Sequence, residues 1–173
     1  MDYLKLTLSG PLMYFAKTNV TTFGDWSFTE EHPTRRAIIG MIGCAMGIPR
    51  GDDRLSALSG ALTIKYETIK AGIVMTEFQT AHGWQKGFQR FKGPNDTQNG
   101  ILKYIEYLMD ARFDVYIGGA DTTLKEIHMA LSDPKYAPYF GKRICVPNEQ
   151  IVGREPEMLT EADMKKKGGL ACI

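Results

Sequence analysis

The chain has 173 residues, 43% of them hydrophobic and 24% charged, with a formal net charge of +1. That size suits one domain with a real core, and so small a charge excludes a global field drawing the protein onto nucleic acid, leaving only a local basic surface for such a role. Cys44, Cys145 and Cys172 show no paired spacing and fit a reducing compartment; with no signal-peptide pattern and no apolar run of membrane-span length, the expectation is a cytoplasmic protein with no membrane role.

In chain order, Leu4, Leu6 and Leu8 alternate with Lys5, Thr7 and Ser9, the period of a half-buried strand, and Gly10-Pro11 ends it. A polar, aromatic loop over residues 17–32 leads to Pro33-Thr34, a cap for a helix starting near Arg35, which Gly47-Ile48-Pro49 stops. Within that helix Gly40, Gly43 and Gly47 form a bare stripe. Each glycine costs ~1 kcal/mol relative to alanine, so the stripe suits close backbone approach.

Leu62, Ile64 and Tyr66 alternate as a second strand, and the chain continues extended from Ile73 to Phe78 after Ala71-Gly72. Residues 107–117 give another strand with Phe113, Val115 and Ile117 on one face. Thr123-Leu124-Lys125-Glu126 resembles a capping box opening a second helix, with Leu124, Ile127, His128 and Leu131 at helical spacing until Asp133-Pro134. A segment over 143–146 closes the pattern as a last strand.

The order strand, helix, strand, insertion, strand, helix, strand predicts an α+β fold, a ferredoxin-like (RRM-like) split βαβ sheet with both helices on one face and the other face free to bind. The expected organisation is a single domain over 1–152 with an inserted hairpin at about 80–104, then a polar tail over 153–173. In the tail Glu155, Glu157, Glu161 and Asp163 balance Arg154, Lys165, Lys166 and Lys167, which reads as a short solvated helix or a disordered end.

Two places carry candidate chemistry. Between His82 and Tyr104, Lys86, Arg90, Lys92 and Lys103 face Asp96 alone, and Trp84, Phe88, Phe91 and Tyr104 are interleaved with them. Aromatic faces that stack on bases, worth roughly 1 to 3 kcal/mol per base, together with cations that follow phosphates, are the grammar of single-stranded nucleic-acid binding. The competing reading pins the aromatics onto the protein's own core. Glycines at 83, 87, 93 and 100 and the Gly93-Pro94-Asn95-Asp96 turn favour a projecting hairpin instead, and so RNA.

The second place is the tip of the first helix, where Arg35 and Arg36 sit at an end the macrodipole already makes positive, an arrangement unfavourable by ~0.3 to 1 kcal/mol each. A phosphate there would meet free N–H groups, the Thr34 cap and two guanidinium groups. Glu30 and Glu31 just upstream could equally neutralise them, and the sequence leaves both readings open. Among His32, His82 and His128 there is no metal-ligand spacing, and no nucleophile or phosphate-loop motif occurs, so no metal or cofactor is expected. His82 is the one candidate acid or base, for a metal-independent endoribonuclease.

Gly10-Pro11-Leu12, Pro33-Thr34-Arg35-Arg36 with Gly40-Met41-Ile42-Gly43, Glu77-Phe78-Gln79-Thr80, residues 107–115, and Tyr139-Phe140-Gly141-Lys142-Arg143 with Cys145-Val146-Pro147 occur in one order from Leu4 to about Val152. In that order they resemble the CasD-type subunit of the CRISPR Cascade complex. The resemblance implies a ferredoxin-like fold with a thumb-like hairpin, at 80–104 here, binding the repeat-derived five-prime handle of CRISPR RNA. It implies packing against a CasC-type backbone subunit and a CasA-type large subunit, and assistance in crRNA-guided binding of target DNA, which a separate nuclease-helicase cleaves. The residues expected to touch RNA are Thr34, Arg35 and Arg36, the hairpin's Trp84, Lys86, Phe88, Arg90, Phe91 and Lys92, and Lys142 with Arg143. Where the family commonly continues Gly-Pro-Leu with Gln-Ser-Trp, this chain has Met13-Tyr14-Phe15. Relatives of another subtype that process RNA use an adjacent lysine and histidine, and no Lys-His pair occurs here.

Overall fold

The computed structural model describes residues 1–17, 26–81 and 101–173. In chain order the elements are β1 (Asp2–Ser9), β2 (Leu12–Met13), β3 (Trp26–Ser27), α1 (Arg35–Met46), α2 (Asp53–Ala61), β4 (Thr63–Lys70), β5 (Ile73–Ala81), β6 (Ile101–Met109), β7 (Arg112–Gly119), α3 (Asp121–Ser132), β8 (Met158–Leu159), α4 (Glu161–Lys166) and β9 (Ala171–Cys172). The fold is α+β. A five-stranded sheet has the order β8-β1-β7-β4-β9, with every neighbouring pair antiparallel.

The leucine alternation in β1 does what its period requires. Leu4, Leu6 and Leu8 share a face with Phe113, Val115 and Ile117 of β7, and all six are fully buried. Onto that face pack Ile38 and Ile42 of α1 and Leu124 and Ile127 of α3. Thr34 caps α1 by accepting from the Ala37 N–H at 3.4 Å, and Gly47 ends it in the left-handed conformation at φ 71°. α3 starts two residues before the expected box, with Ala120 at its N-cap and no side-chain cap.

The expected strand over 107–117 is in fact two strands, because Asp110 adopts a positive φ of 55° and turns the chain between β6 and β7. β4 runs through Ala71-Gly72 into β5, and β6 through Asp110-Ala111 into β7, so the four strands make one long antiparallel ribbon. Its register runs from Thr63 opposite Gly118 to Ala81 opposite Ile101, with one irregularity between Thr68 and Lys70. The lower half belongs to the main sheet. The upper half forms a second sheet, in which β6 also pairs with β2 and β3. The ribbon leads into residues 82–100, so His82, Trp84, Lys86, Phe88, Arg90, Phe91 and Lys92 lie outside the described residues.

Two expectations are corrected. Residues 143–146 are not a strand: Cys145 donates its N–H to the Lys142 carbonyl at 2.8 Å and accepts from Phe140 at 2.8 Å, closing the segment into tight turns. The partner of β1's outer edge comes later. Asn148 donates to Ser9, Thr7 to Ile151 and Lys5 to Glu157, and β8 then pairs with Tyr3 and Leu4.

The tail is not a disordered end but carries the short helix expected as its alternative, largely exposed apart from Met164, and the sheet's outer face is not left free. From β8 the chain crosses that face as α4, held by a Thr160–Asp163 capping box, and ends as β9 on the β4 edge. Met164 is 3% exposed against Tyr3 and Tyr116, with Leu159 and Leu170 beside them. Burying a methionine in this way is worth about 1.5 to 3 kcal/mol. Polar contacts complete the strap: Lys5 pairs with Asp114 at 3.1 Å and Glu157 at 3.4 Å, and Lys167 with Glu67 at 3.2 Å.

Candidate nucleic-acid interface

With one face of the main sheet covered by the tail, a large recess lies on the far side of α1. A cleft of about 960 Å³ opens between the exposed side of α1, the start of α2 and residues 136–141. Glycines shape it. A Cβ on Gly43 would strike the Leu55 side chain, so part of the glycine stripe seats α2 against α1, while Gly40 faces open space in the cleft. Gly141, at φ 85°, sits so close to Tyr14 that a Cβ would collide with the Tyr14 carbonyl, and Tyr14 donates its N–H to Phe140 at 3.0 Å. Phe140, 2% exposed, anchors this loop from below.

The same loop explains Gly10, where a Cβ would come within 2.9 Å of the Val146 carbonyl and 3.2 Å of the Phe140 ring. Segments distant in sequence, around Gly10 and Phe140, thus pack on each other next to Gly141, which lines the cleft.

Arg35 and Arg36 part company here. Arg35 is turned inward. Its Nε donates to Ser59 Oγ at 3.2 Å, its Nη1 to the Ile173 carbonyl at 3.0 Å, and its Nη2 to the carbonyls of Leu62 at 2.6 Å and of Ser59. Those carbonyls belong to the end of α2 and to the residue after β9, so Arg35 is a C-cap for one element and a clasp for another. Four hydrogen bonds commit most of the donor capacity of the guanidinium, which has five N–H groups. Arg36 is exposed, lines the cleft, and has no hydrogen bond or ion pair from its side chain among the described residues. Neither Glu30 nor Glu31 forms an ion pair with the arginines among the described residues, which removes the neutralising alternative there.

The first turn of α1 contains no acidic residue. Ala37 is satisfied by Thr34, and the backbone N–H groups of Arg35 and Arg36 have no partner among the described residues, so they are placed to meet an anion. Arg50 joins from the turn after α1, and Tyr136 and Tyr139 from the opposite wall. Among the described residues the lining holds three arginines and no carboxylate. Such a cleft offers cations for phosphates and aromatic faces for bases.

Lys142 is placed next to this cleft, half-buried, with its Nζ 4.5 Å from the centre of the Tyr14 ring. Burial, then the charge of Lys103, holds its pKa below the ordinary lysine value. Arg143 is exposed beside it. Arg50, Tyr14, Tyr136 and Tyr139 were missed from the sequence. Arg50 follows the Gly47-Ile48-Pro49 stop, and that adjacency to a helix whose tip carries two arginines was the available signal. The tyrosines lie in loops and give no periodic signal.

The described histidines are occupied. His128, 9% exposed, is hydrogen-bonded through Nε2 to the Gly153 carbonyl at 3.0 Å, and His32 bonds the Pro33 carbonyl at 3.2 Å while stacking on Tyr66. No cluster of three or more potential metal ligands occurs among the described residues, nor any helix long and apolar enough to cross a membrane.

The chain is 28% identical to the CRISPR system Cascade subunit CasD of Escherichia coli K12 over 154 residues, 83% of this chain and 66% of CasD. A chain in the solved structure of a CRISPR RNA-guided surveillance complex is similar at 27% identity with a TM-score of 0.68, over 86% of this chain and 61% of that one. A crystal structure of a Cas protein shares the fold at 22% identity with a TM-score of 0.65, over 95% of this chain and 68% of that one. The chain thus spans about two thirds of the length of these relatives. The family model described as CRISPR-associated protein (Cas_Cas5) matches residues 3–169, nearly the whole chain, and the protein belongs to that Cas5 family.

Proposed function

We propose that this protein is a structural, CRISPR RNA-binding subunit of a Cascade-type surveillance complex, holding the repeat-derived five-prime handle at one end of the complex for crRNA-guided defence against foreign DNA. The observation that carries this reading is the cleft at the tip of α1, lined among the described residues by three arginines and no carboxylate, in a chain of the Cas5 family. Arg36 is the phosphate contact of the arginine pair and Arg35 the residue that fixes the tip. Thr34 sets the open N–H groups, and Lys142 with Arg143 extends the cationic wall. Trp84, Lys86, Phe88, Arg90, Phe91 and Lys92, in the stretch of chain between β5 and β6, are the further RNA contacts of this reading.

The scaffold is a ferredoxin-like one. Supporting this, the strand order β8-β1-β7-β4 with α1 and α3 as crossings is the split βαβ arrangement, to which β9 adds an edge. Its partners are a CasC-type backbone subunit, a CasA-type large subunit, and target DNA through the assembled complex in the cytoplasm. In this reading the subunit is structural and does not cut RNA; His82, the candidate acid or base of the alternative endoribonuclease, lies outside the described residues. The test is to recover the tagged protein from its host and sequence the RNA that accompanies it. Reads sharing one short repeat-derived tag at their five-prime ends, followed by varied spacers, are expected; random cellular RNA or none would overturn the proposal.

A further inference from the structure

Among the described residues, every long strand but one has a neighbour on each side. β1 lies between β7 and β8, β4 between β7 and β9, β7 between β1 and β4, and β6 between β5 and the short strands β2 and β3. β5 pairs with β6 alone, and no backbone hydrogen bond joins its other side to a described residue. An open edge offers its N–H and C=O groups to another strand, and proteins usually blunt it with lysine, proline, a bulge or brevity. β5 has none of these. It runs nine residues, Ile73–Ala81, in unbroken register with β6, and its only charged side chain is Glu77.

The edge is also apolar. Of the ten large hydrophobic side chains exposed among the described residues, four lie on or beside β5: Ile69, Ile73 at 69%, Val74 at 40% and Phe78 at 53%. Phe78 ends an aromatic row that crosses the second sheet. Phe28 stacks on Trp26 with centroids 5.7 Å apart, Trp26 stacks on Tyr104 at 4.5 Å, and Tyr104 meets Phe78 at 5.2 Å. Beyond Phe78 the row stops at the open edge.

The order of residues in β5 points to the occupant. Two identical antiparallel strands related by a two-fold axis place side chains that share a face opposite one another. With the axis at Thr76, that threonine faces its own counterpart, Val74 faces the partner's Phe78, and Phe78 faces the partner's Val74. Threonine pairs and pairs of an aromatic with a β-branched residue are favourable across strands, and Val74, Thr76 and Phe78 are the exposed side chains of that face. Glu77 then lies opposite methionine. An axis at Glu77 would instead set two carboxylates opposite each other, which is unfavourable, and an axis at Phe78 would leave Ile73 and Val74 uncovered. We propose that the free protein forms a symmetric dimer in which β5 pairs edge to edge with β5 of a second copy, centred on Thr76. One strand pair is small beside the roughly 1,200 to 2,000 Å² of a standard interface, so the dimer is concentration-dependent. This inference goes beyond the RNA-binding reading and does not depend on it.

The full chain, freed of nucleic acid, is followed by sedimentation velocity over a concentration series reaching about 1 mM. The samples are wild type, Thr76→Lys, Val74→Asp, Phe78→Lys and the double variant carrying Val74→Asp with Phe78→Lys. All three positions are exposed, so the core is left intact, which circular dichroism checks. Wild type should pass from monomer to dimer as concentration rises. Thr76→Lys sets two ammonium groups opposite each other at the axis and should stay monomeric. Val74→Asp and Phe78→Lys should each raise the dissociation constant by roughly tenfold, since each spoils two cross-strand pairs per dimer. The double variant puts a carboxylate opposite an ammonium twice and should recover most of the lost affinity. A wild type that is monomeric throughout would overturn the proposal. Dimerisation of Thr76→Lys at the wild-type level would overturn the use of this edge, and a double variant no tighter than the single ones would overturn the register.

Discussion

The outer face of the main sheet and the cleft beyond α1 are both rich in cations, yet they are finished in opposite ways. On the sheet, Lys5 and Lys167 meet Asp114, Glu157 and Glu67, and Met164 lies over Tyr3 and Tyr116. In the cleft, Arg36 and Arg50 meet no carboxylate among the described residues. Surface ion pairs of the first kind contribute only about 0 to 1 kcal/mol each, but they consume the charge. What distinguishes the proposed binding region is therefore that counter-charges are withheld there, and a run such as Lys165-Lys166-Lys167 is a poor guide. Arg35 and Arg36 show the contrast at the scale of one peptide bond, the first tied to carbonyls of its own chain and the second open.

The largest effect should come from breaking the covered region. Met164→Ala is expected to destabilise the fold by about 2 to 5 kcal/mol, read from urea denaturation, while RNA affinity measured well below the melting transition stays at the wild-type level. A parallel fall in affinity would show that the covered face takes part in binding. Arg35→Ala should cost about 1.5 to 3 kcal/mol, since it leaves several carbonyls around α2 and β9 without a charged donor. Gly141→Ala should cost about 1 to 3 kcal/mol, because φ is 85° and the added methyl would press on Tyr14. Since that wall faces the cleft, this variant alone of the three should also weaken RNA binding.

A smaller effect distinguishes the open side by pH. Hydrogen bonds from the Arg54 side chain and backbone hold the carboxyl of Asp52, the N-cap of α2, down to about 2, below the ordinary 3.8. Because the folded value is depressed, the stabilisation is present above 3.8 and is lost as pH falls through about 2. Asp52→Asn keeps a capping oxygen and should flatten the stability profile in that window, followed by circular dichroism. The smallest is chemical. Burial pushes the Cys145 thiol up to about 11, so near neutral pH a maleimide should label exposed Cys172 and leave Cys145 unmodified until the protein unfolds.

Much of the scaffold was legible because it is written in periods. Leu4, Leu6 and Leu8, the run from Thr34 to Gly47, and Leu124, Ile127 and Leu131 each state their element through spacing, and the structure realises each of them. α2 was not legible, since it has no fully buried residue and therefore no strong apolar stripe. The last strand was misplaced because Cys145-Val146 looks extended, whereas the N–H of Cys145 is taken by Lys142 three residues away and pairing with β1 passes to residues 148–159. The short helix of the tail was among the expected alternatives, but its docking across the sheet was not legible, because its apolar contacts are few, Met164 chief among them, in a stretch dominated by charge.

For the site, the sequence identified the anomaly of two arginines at a helix tip but could not divide them. That division depends on Ser59, Leu62 and Ile173, which only the folded chain brings to Arg35.

The salt dependence of RNA binding by Arg36→Ala and Arg35→Ala, side by side, tests the central claim most directly. The account predicts that Arg36→Ala lowers the slope by about 0.7, because one phosphate then keeps its counterion, and leaves stability unchanged, and that Arg35→Ala lowers stability and keeps the slope. Equal slopes in wild type and Arg36→Ala, or a fall in slope confined to Arg35→Ala, would contradict it.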